Sequence, residues 1–217
     1  MIDFIDVSVK HLNSRGIDNV SFNIEKGQFV YLMGPTGAGK STIINCILNS
    51  IKPNSGQIIV NNMDLSNLNE SDLAFFRRDI GMIFQDFKLM NDRTIFENIS
   101  LPLQIIGINK DIIISKVKNV LTKVGLSQRA NSFPGELSGG EQQKACVARA
   151  LIKNPKLIIA DEPTGNLDPS SSDDIIDLLE NESNKGTTIV MATHNYPLIE
   201  NRIKHFIELN NGRVISW

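Results

Sequence analysis

The stretch from Phe29 to Leu48 constrains this chain more than any other. Five apolar residues, FVYLM, run into GPTGAGKST, and the apolar segment IINCIL follows. A short continuous apolar run entering a glycine-rich turn reads as a buried strand, and the segment after it reads as a helix. The turn itself, Gly34-Pro35-Thr36-Gly37-Ala38-Gly39-Lys40-Ser41, fits the pattern G-x-x-x-x-G-K-[ST]. Placed between strand and helix, such a loop binds phosphate: its glycines let backbone N–H groups wrap the anion, and the helix adds its positive N-terminal end. Lys40 is expected to reach the β and γ phosphates of a nucleotide. Ser41, followed by Thr42, is expected to offer a hydroxyl to Mg²⁺.

A second apolar run, Leu157-Ile158-Ile159-Ala160, delivers two adjacent carboxylates, Asp161 and Glu162. Like charges at one strand end oppose each other unless a cation or distinct roles separate them. With a phosphate loop upstream, Asp161 is the candidate for Mg²⁺, through water. Glu162 is the candidate general base for an attacking water, because phosphoryl transfer depends on a positioned nucleophile.

The rest of the chain reads as α/β around these two strands. Ile2, Phe4, Val7 and Val9 alternate, as do Val20, Phe22 and Ile24, which predicts two strands with a turn near Asn13 to Gly16 and an antiparallel β portion. Gly56 to Val60 running into Asn61-Asn62 signals a hairpin. From 87 to 153 the period becomes helical, with Ile112, Lys116, Val117, Val120, Leu121 and Val124 on one face before Gly125. Strand and helix then alternate again through Leu157, Ile175 to Leu179 and TTIVMAT, and a closing hairpin turns at Asn210-Asn211-Gly212. One domain over 1–217 is expected, with core and β subdomain at 1–86 and 154–217 and a helical subdomain at 87–153.

Charge and composition exclude several classes. A formal charge of -2 over 217 residues gives no pull toward nucleic acid, whose binders neutralise phosphates with a basic excess. Cys46 and Cys146 each lie in an apolar helix-like stretch, where a buried free thiol in a reducing compartment is the expected state. The start, MIDFIDVSVKH, lacks the basic-then-apolar layout of a secretory signal, and no apolar run reaches the ~18 residues of a membrane span. Work at a membrane would require another chain to carry this one there.

A third motif narrows the class. Leu137-Ser138-Gly139-Gly140-Glu141-Gln142-Gln143 opens a helix, so Ser138 and two glycines present a second anion-binding backbone that one nucleotide cannot share with the phosphate loop. LSGGEQQ resembles the signature of ATP-binding-cassette ATPases, in which it caps the γ phosphate held by a partner subunit. That resemblance implies a RecA-like P-loop NTPase core with an antiparallel β subdomain and an inserted helical subdomain. It also implies Mg-ATP as the bound species and a head-to-tail homodimer on ATP binding.

The other family positions follow in order. Gln85 in IFQDF resembles the glutamine loop that contacts Mg²⁺ and water; Asp168 in GNLD resembles the acidic position of the loop crossing the dimer interface; His194 after TTIVMAT resembles the switch histidine at the γ phosphate. The family stacks adenine on an aromatic just after the first strand, a position that falls here on His11, with a neighbouring residue as the alternative.

The resemblance runs from Met1 to about Val214, and the absence of a following regulatory domain argues against the sugar-importer type. FQDFKLMNDRTIFENISLPL, with Asp86-Phe87 and Asp92-Arg93-Thr94, is most similar to the cell-division branch of the family. That branch implies an integral membrane partner whose cytoplasmic helix docks beside Gln85 and a place on the cytoplasmic face of the plasma membrane. It further implies an ATP cycle that signals across the membrane to enzymes cutting peptidoglycan. Phe87, Leu89 and Met90 are then expected to line the docking groove, and Phe84 to pack into the joint between core and helices. A lipoprotein-release or macrolide-efflux transporter subunit is the alternative. A soluble nucleic-acid cassette fits least, lacking a coiled-coil insertion or second cassette.

Overall fold

A computed structural model of the chain describes residues 1–10, 16–200, 202 and 204–217. The first half contains β1 (Ile2–Val9), β2 (Ile17–Ile24), β3 (Phe29–Met33), α1 (Lys40–Ile47), β4 (Ser55–Val60), β5 (Met63–Asp64), α2 (Glu70–Arg78) and β6 (Ile80–Ile83). Three helices follow: α3 (Ile95–Ile105), α4 (Lys110–Lys123) and α5 (Gly139–Leu151). The chain then adds β7 (Leu157–Asp161), α6 (Pro169–Ser183), β8 (Thr188–Thr193), α7 (Tyr196–Ile199), β9 (His205–Asn210) and β10 (Arg213–Ser216).

Two sheets result. The smaller is antiparallel, in the order β2-β1-β4-β5. The larger has the order β10-β9-β3-β8-β7-β6, with β9, β3, β8, β7 and β6 mutually parallel and β10 antiparallel at the edge. Period-two alternation in strands buried on both faces divides the interior in two. Val30, Leu32, Ile159, Val190 and Ala192 face α1 and the small sheet, where Phe4 and Phe22 stack at 4.6 Å. Tyr31, Ile158, Ala160, Ile189 and Met191 face the opposite way and join α3, α4, α5 and α6 in one continuous cluster. The inserted helices therefore share their core with the sheet, which ties them to the strand ends that carry the chemistry.

Local sequence explains most of the boundaries. The alternation of β1 slips phase between Phe4 and Val7, where Asp6 takes a left-handed φ of 50° and both strand pairings shift register. Asn61 and Asn62, both left-handed, turn β4 into β5, and Asn211 and Gly212 do the same between β9 and β10. Thr94 and Glu97 form a reciprocal capping box at the start of α3.

Two expectations change, and two elements were not legible. The buried face of α4 is Ile113, Val117, Val120 and Leu121, whereas Ile112 stands half exposed, because the helix packs with the 113-117-120-121 stripe toward the core. Helix α2 and strand β6 carry too little periodic signal to be read from sequence: α2 buries only Phe76, and β6 is four residues, IGMI. Phe87 and Leu89 are half-buried against the helix-side cluster and thus pack partly into the joint assigned to Phe84. Position 11 and most of the turn after β1 lie outside the described residues.

Candidate active site

Because β3, β8, β7 and β6 are neighbours and parallel, their carboxyl ends open on one side of the sheet, the side where open α/β sheets bind ligands. Each end supplies one functional group. From β3 comes the phosphate loop, from β8 His194, from β7 Asp161 and Glu162, and from β6 Gln85. A cavity of about 510 Å³ lies there, lined by Thr36, Gly37, Gly39, Lys40, Ser41, Thr42, Gln85, Asp161, Glu162 and His194. The sheet order matters, since β8 separates β3 from β7 and sets His194 between the phosphate loop and the acidic pair.

The loop needs its glycines. Gly34 and Gly39 have φ of 143° and 110°, and a Cβ on them would come within 2.3 Å of the Leu209 carbonyl and 2.8 Å of Ile17 Cγ2. Gly39 caps α1, whose first residue is Lys40, so the lysine leaves the helix where its dipole is positive. Gly34, Pro35 and Ala38 shape the loop from behind without lining the cavity.

Lys40 and Glu162 organise the interior. Lys40 Nζ donates to the carbonyls of Gly34 at 2.6 Å and Pro35 at 3.3 Å, and lies 3.5 Å from Glu162 Oε1. His194 Nδ1 is 2.9 Å from the same carboxylate oxygen, and the His194 backbone N–H donates to Glu162 Oε2 at 3.4 Å. Glu162 itself has a left-handed φ of 47°, held by its N–H donating to the Ala192 carbonyl at 3.0 Å. A non-glycine residue in that region is strained, and such strain concentrates at functional positions. Burial, followed by the charge of Glu162, pushes the Asp161 carboxyl above its ordinary range, with Lys40 opposing.

Among the described residues no cluster of three or more His, Cys, Asp and Glu could cage a metal by itself. Ser41, Asp161 and Gln85 instead offer a few oxygen ligands beside a phosphate cradle, the donor set suited to Mg²⁺, which is held by one or two carboxylates plus substrate phosphates.

The signature residues stand apart. Ser138, Gly139, Gly140 and Asp168 line no part of this cavity. Ser138 caps α5 in a capping box with Glu141, its N–H donating to Glu141 Oε2 at 2.9 Å and its Oγ accepting from Glu141 N at 3.2 Å. Gly140 has a packing reason as well, since a Cβ there would sit 2.7 Å from Ser171 Oγ on α6. Asp168 caps α6 by accepting from Ser171 N at 3.0 Å; its bonds to Ser171 hold its carboxyl below the ordinary range.

The sequence motifs include Asn166 and Gln143 without assigning either a role. The Asn166 amide donates to the Gln85 carbonyl at 3.1 Å. Gln143, fully buried, donates to the carbonyls of Pro163 at 2.6 Å and Phe84 at 3.4 Å. The available signal was its place on the inward stripe of α5, where a polar residue must bond something to be tolerated.

Fold and site together define a P-loop ATPase of the ATP-binding-cassette class. The family model described as ABC transporter matches residues 17–165. The "Cell division ATP-binding protein FtsE" of Bacillus subtilis is 44% identical over 216 residues, covering 99% of this chain and 95% of the relative. Its namesake in Escherichia coli K12 is 41% identical over 215 residues, covering 99% and 97%. A dimeric post-hydrolysis state of the ATP-binding cassette MJ0796, bound to ADP and Pi, superposes with a TM-score of 0.87 at 34% identity, covering 100% of this chain and 97% of that one. This chain belongs to the ABC transporter family and, within it, to the group of the FtsE cell-division ATP-binding proteins, and it hydrolyses ATP.

Proposed function

We propose that this chain is the ATPase subunit of an FtsEX-type membrane complex, in which Mg-ATP closes a head-to-tail homodimer and the closure signals across the membrane to activate peptidoglycan hydrolysis. One observation carries the dimer. The cavity is built from one copy's strand ends, while Ser138, Gly139, Gly140 and Asp168 of that copy line no part of it, and Ser138 and Asp168 are exposed. In this reading Lys40 holds the β and γ phosphates and Ser41, Gln85 and Asp161 take Mg²⁺. Glu162 is the general base, and His194, oriented by Glu162, supports the γ phosphate.

The membrane role is supported by the relatives named for cell division and by the Gln85–Thr94 segment, where Phe87, Leu89 and Met90 keep part of their apolar surface outward. No helix among the described residues is long and apolar enough to cross a membrane, so attachment to the cytoplasmic face would run through an FtsX-type partner. A lipoprotein-release or macrolide-efflux subunit would share the same ATP chemistry. Affinity capture from membranes, with the co-purifying integral protein identified by mass, separates the two. Recovery of an FtsX-type protein supports the reading; recovery of a transporter permease overturns it.

A further inference from the structure

Helix α5, capped by Ser138, lines no part of its own nucleotide cavity, yet one stripe of it holds the backbone of both loops that do. Gln143, Cys146 and Arg149 are spaced i, i+3 and i+6 and share a helix face. Gln143 bonds the carbonyl of Pro163, next to Glu162, and that of Phe84, next to Gln85. Cys146 Sγ donates to the Phe87 carbonyl at 3.0 Å. Arg149 forks over two carbonyls, Nη2 to Phe87 at 2.8 Å and Nη1 to Lys88 at 2.5 Å.

Those two carbonyls belong to a strained turn. Phe87 and Lys88 are consecutive non-glycine residues with left-handed φ of 59° and 51°. L-residues other than Asn and Asp avoid that region because Cβ crowds the following carbonyl, and a run of two such residues persists only where surroundings over-determine it. Among the described residues, Arg149 is the only side chain bonded to both carbonyls. Lysine would replace it only in part, because its ammonium on a flexible stem lacks the planar fork that holds two oxygens in fixed directions.

We propose that Arg149 is a positioning residue for ATP hydrolysis: by clamping the Phe87 and Lys88 carbonyls it fixes the left-handed turn that places Gln85. The clamp also makes that turn travel with the helix whose first turn carries Ser138. α5 has 13 residues and at 1.5 Å per residue spans about 20 Å, so a displacement at its capped end reaches the Gln85 loop as a rigid-body shift. The inference rests on the reading of Gln85 as the group that senses Mg²⁺ and water.

The test uses the full chain with Arg149→Ala and Arg149→Lys, reading affinity for a fluorescent ATP analogue, phosphate release, and hydrogen exchange across 84–90. Expected are analogue affinity within about twofold of the parent and a kcat lower by about tenfold to a hundredfold, the scale of a small misplacement of a catalytic group. Arg149→Lys should fall between. Exchange should rise at 86–90 and stay unchanged in α1. Adding Lys88→Gly to Arg149→Ala should restore part of kcat, because glycine adopts the turn without strain. Parental kcat in either folded variant overturns the proposal, as does an analogue affinity that falls in parallel with kcat. If Arg149→Ala does not fold, Arg149→Lys carries the same readouts. Gln85→Ala, assayed beside them, separates the two ideas: parental kcat there defeats the reading of Gln85, while the exchange result still decides whether Arg149 holds the turn.

Discussion

Replacing Glu162 by glutamine keeps the reach of the side chain but removes its charge and its capacity to accept a proton from water. The geometry assigns two separable consequences. A positioned general base contributes about 10²–10⁴ in rate, equivalent to ~2.7–5.4 kcal/mol of barrier, so turnover should fall by that factor. Binding should move the other way. Glu162 Oε1 stands 3.5 Å from Lys40 Nζ, with side-chain exposures of 14% and 8%, and therefore competes with phosphate for the lysine. The gross attraction across that distance is about 5 kcal/mol at an effective dielectric of about 20. Most of it is offset by desolvation and by the 2.6 Å bond from Lys40 to the Gly34 carbonyl, which survives the substitution. ATP affinity should consequently tighten by about threefold to tenfold, or about 0.7–1.4 kcal/mol. A fluorescent ATP analogue reports the affinity, and phosphate release with size-exclusion chromatography reports turnover and dimer trapping. Weaker ATP binding would refute the competition argument, and turnover within tenfold of the parent would refute the base assignment.

Lys40→Ala removes the cation facing the phosphates and should weaken ATP-analogue binding at least about a hundredfold, read by the same titration. Ser138→Arg should leave analogue affinity of each subunit unchanged and stop phosphate release, since Ser138 lies off its own cavity; loss of affinity would contradict the head-to-tail arrangement. In urea denaturation Ile113→Ala should cost about 2–4 kcal/mol, whereas Ile112→Ala, half exposed on the same helix, should stay within about 0.5 kcal/mol. Asp161→Asn should raise the melting temperature of the nucleotide-free chain in EDTA at neutral pH. The native carboxyl is raised, so its favourable contribution is present below the ordinary carboxylate pKa and lost as pH rises through the raised value. The advantage of asparagine should therefore shrink on acidification, and a pH-independent difference would exclude this cause.

Local chemistry alone was enough to read the phosphate loop, the acidic pair, the β hairpins and the helical insertion. Each depends on neighbours in sequence: glycines that permit a turn, an apolar run that must be buried, a serine that caps a helix three residues before a glutamate. What needed distant parts of the chain was not legible. Position 112 against 113 was settled by how α4 is rotated against α3 and α5, which apolar content cannot specify when isoleucines stand at 112, 113 and 114. Strand β6 becomes a strand through pairing with β7, because four residues containing glycine have little preference of their own. Only the tertiary structure set β8 between β3 and β7, bringing His194 onto Glu162 from 32 residues away, and turned the buried face of α5 into a holder for the Gln85 loop. Sequence carries the groups that do the chemistry; the distances between them arise from sheet order and helix packing, which are collective properties of the whole core.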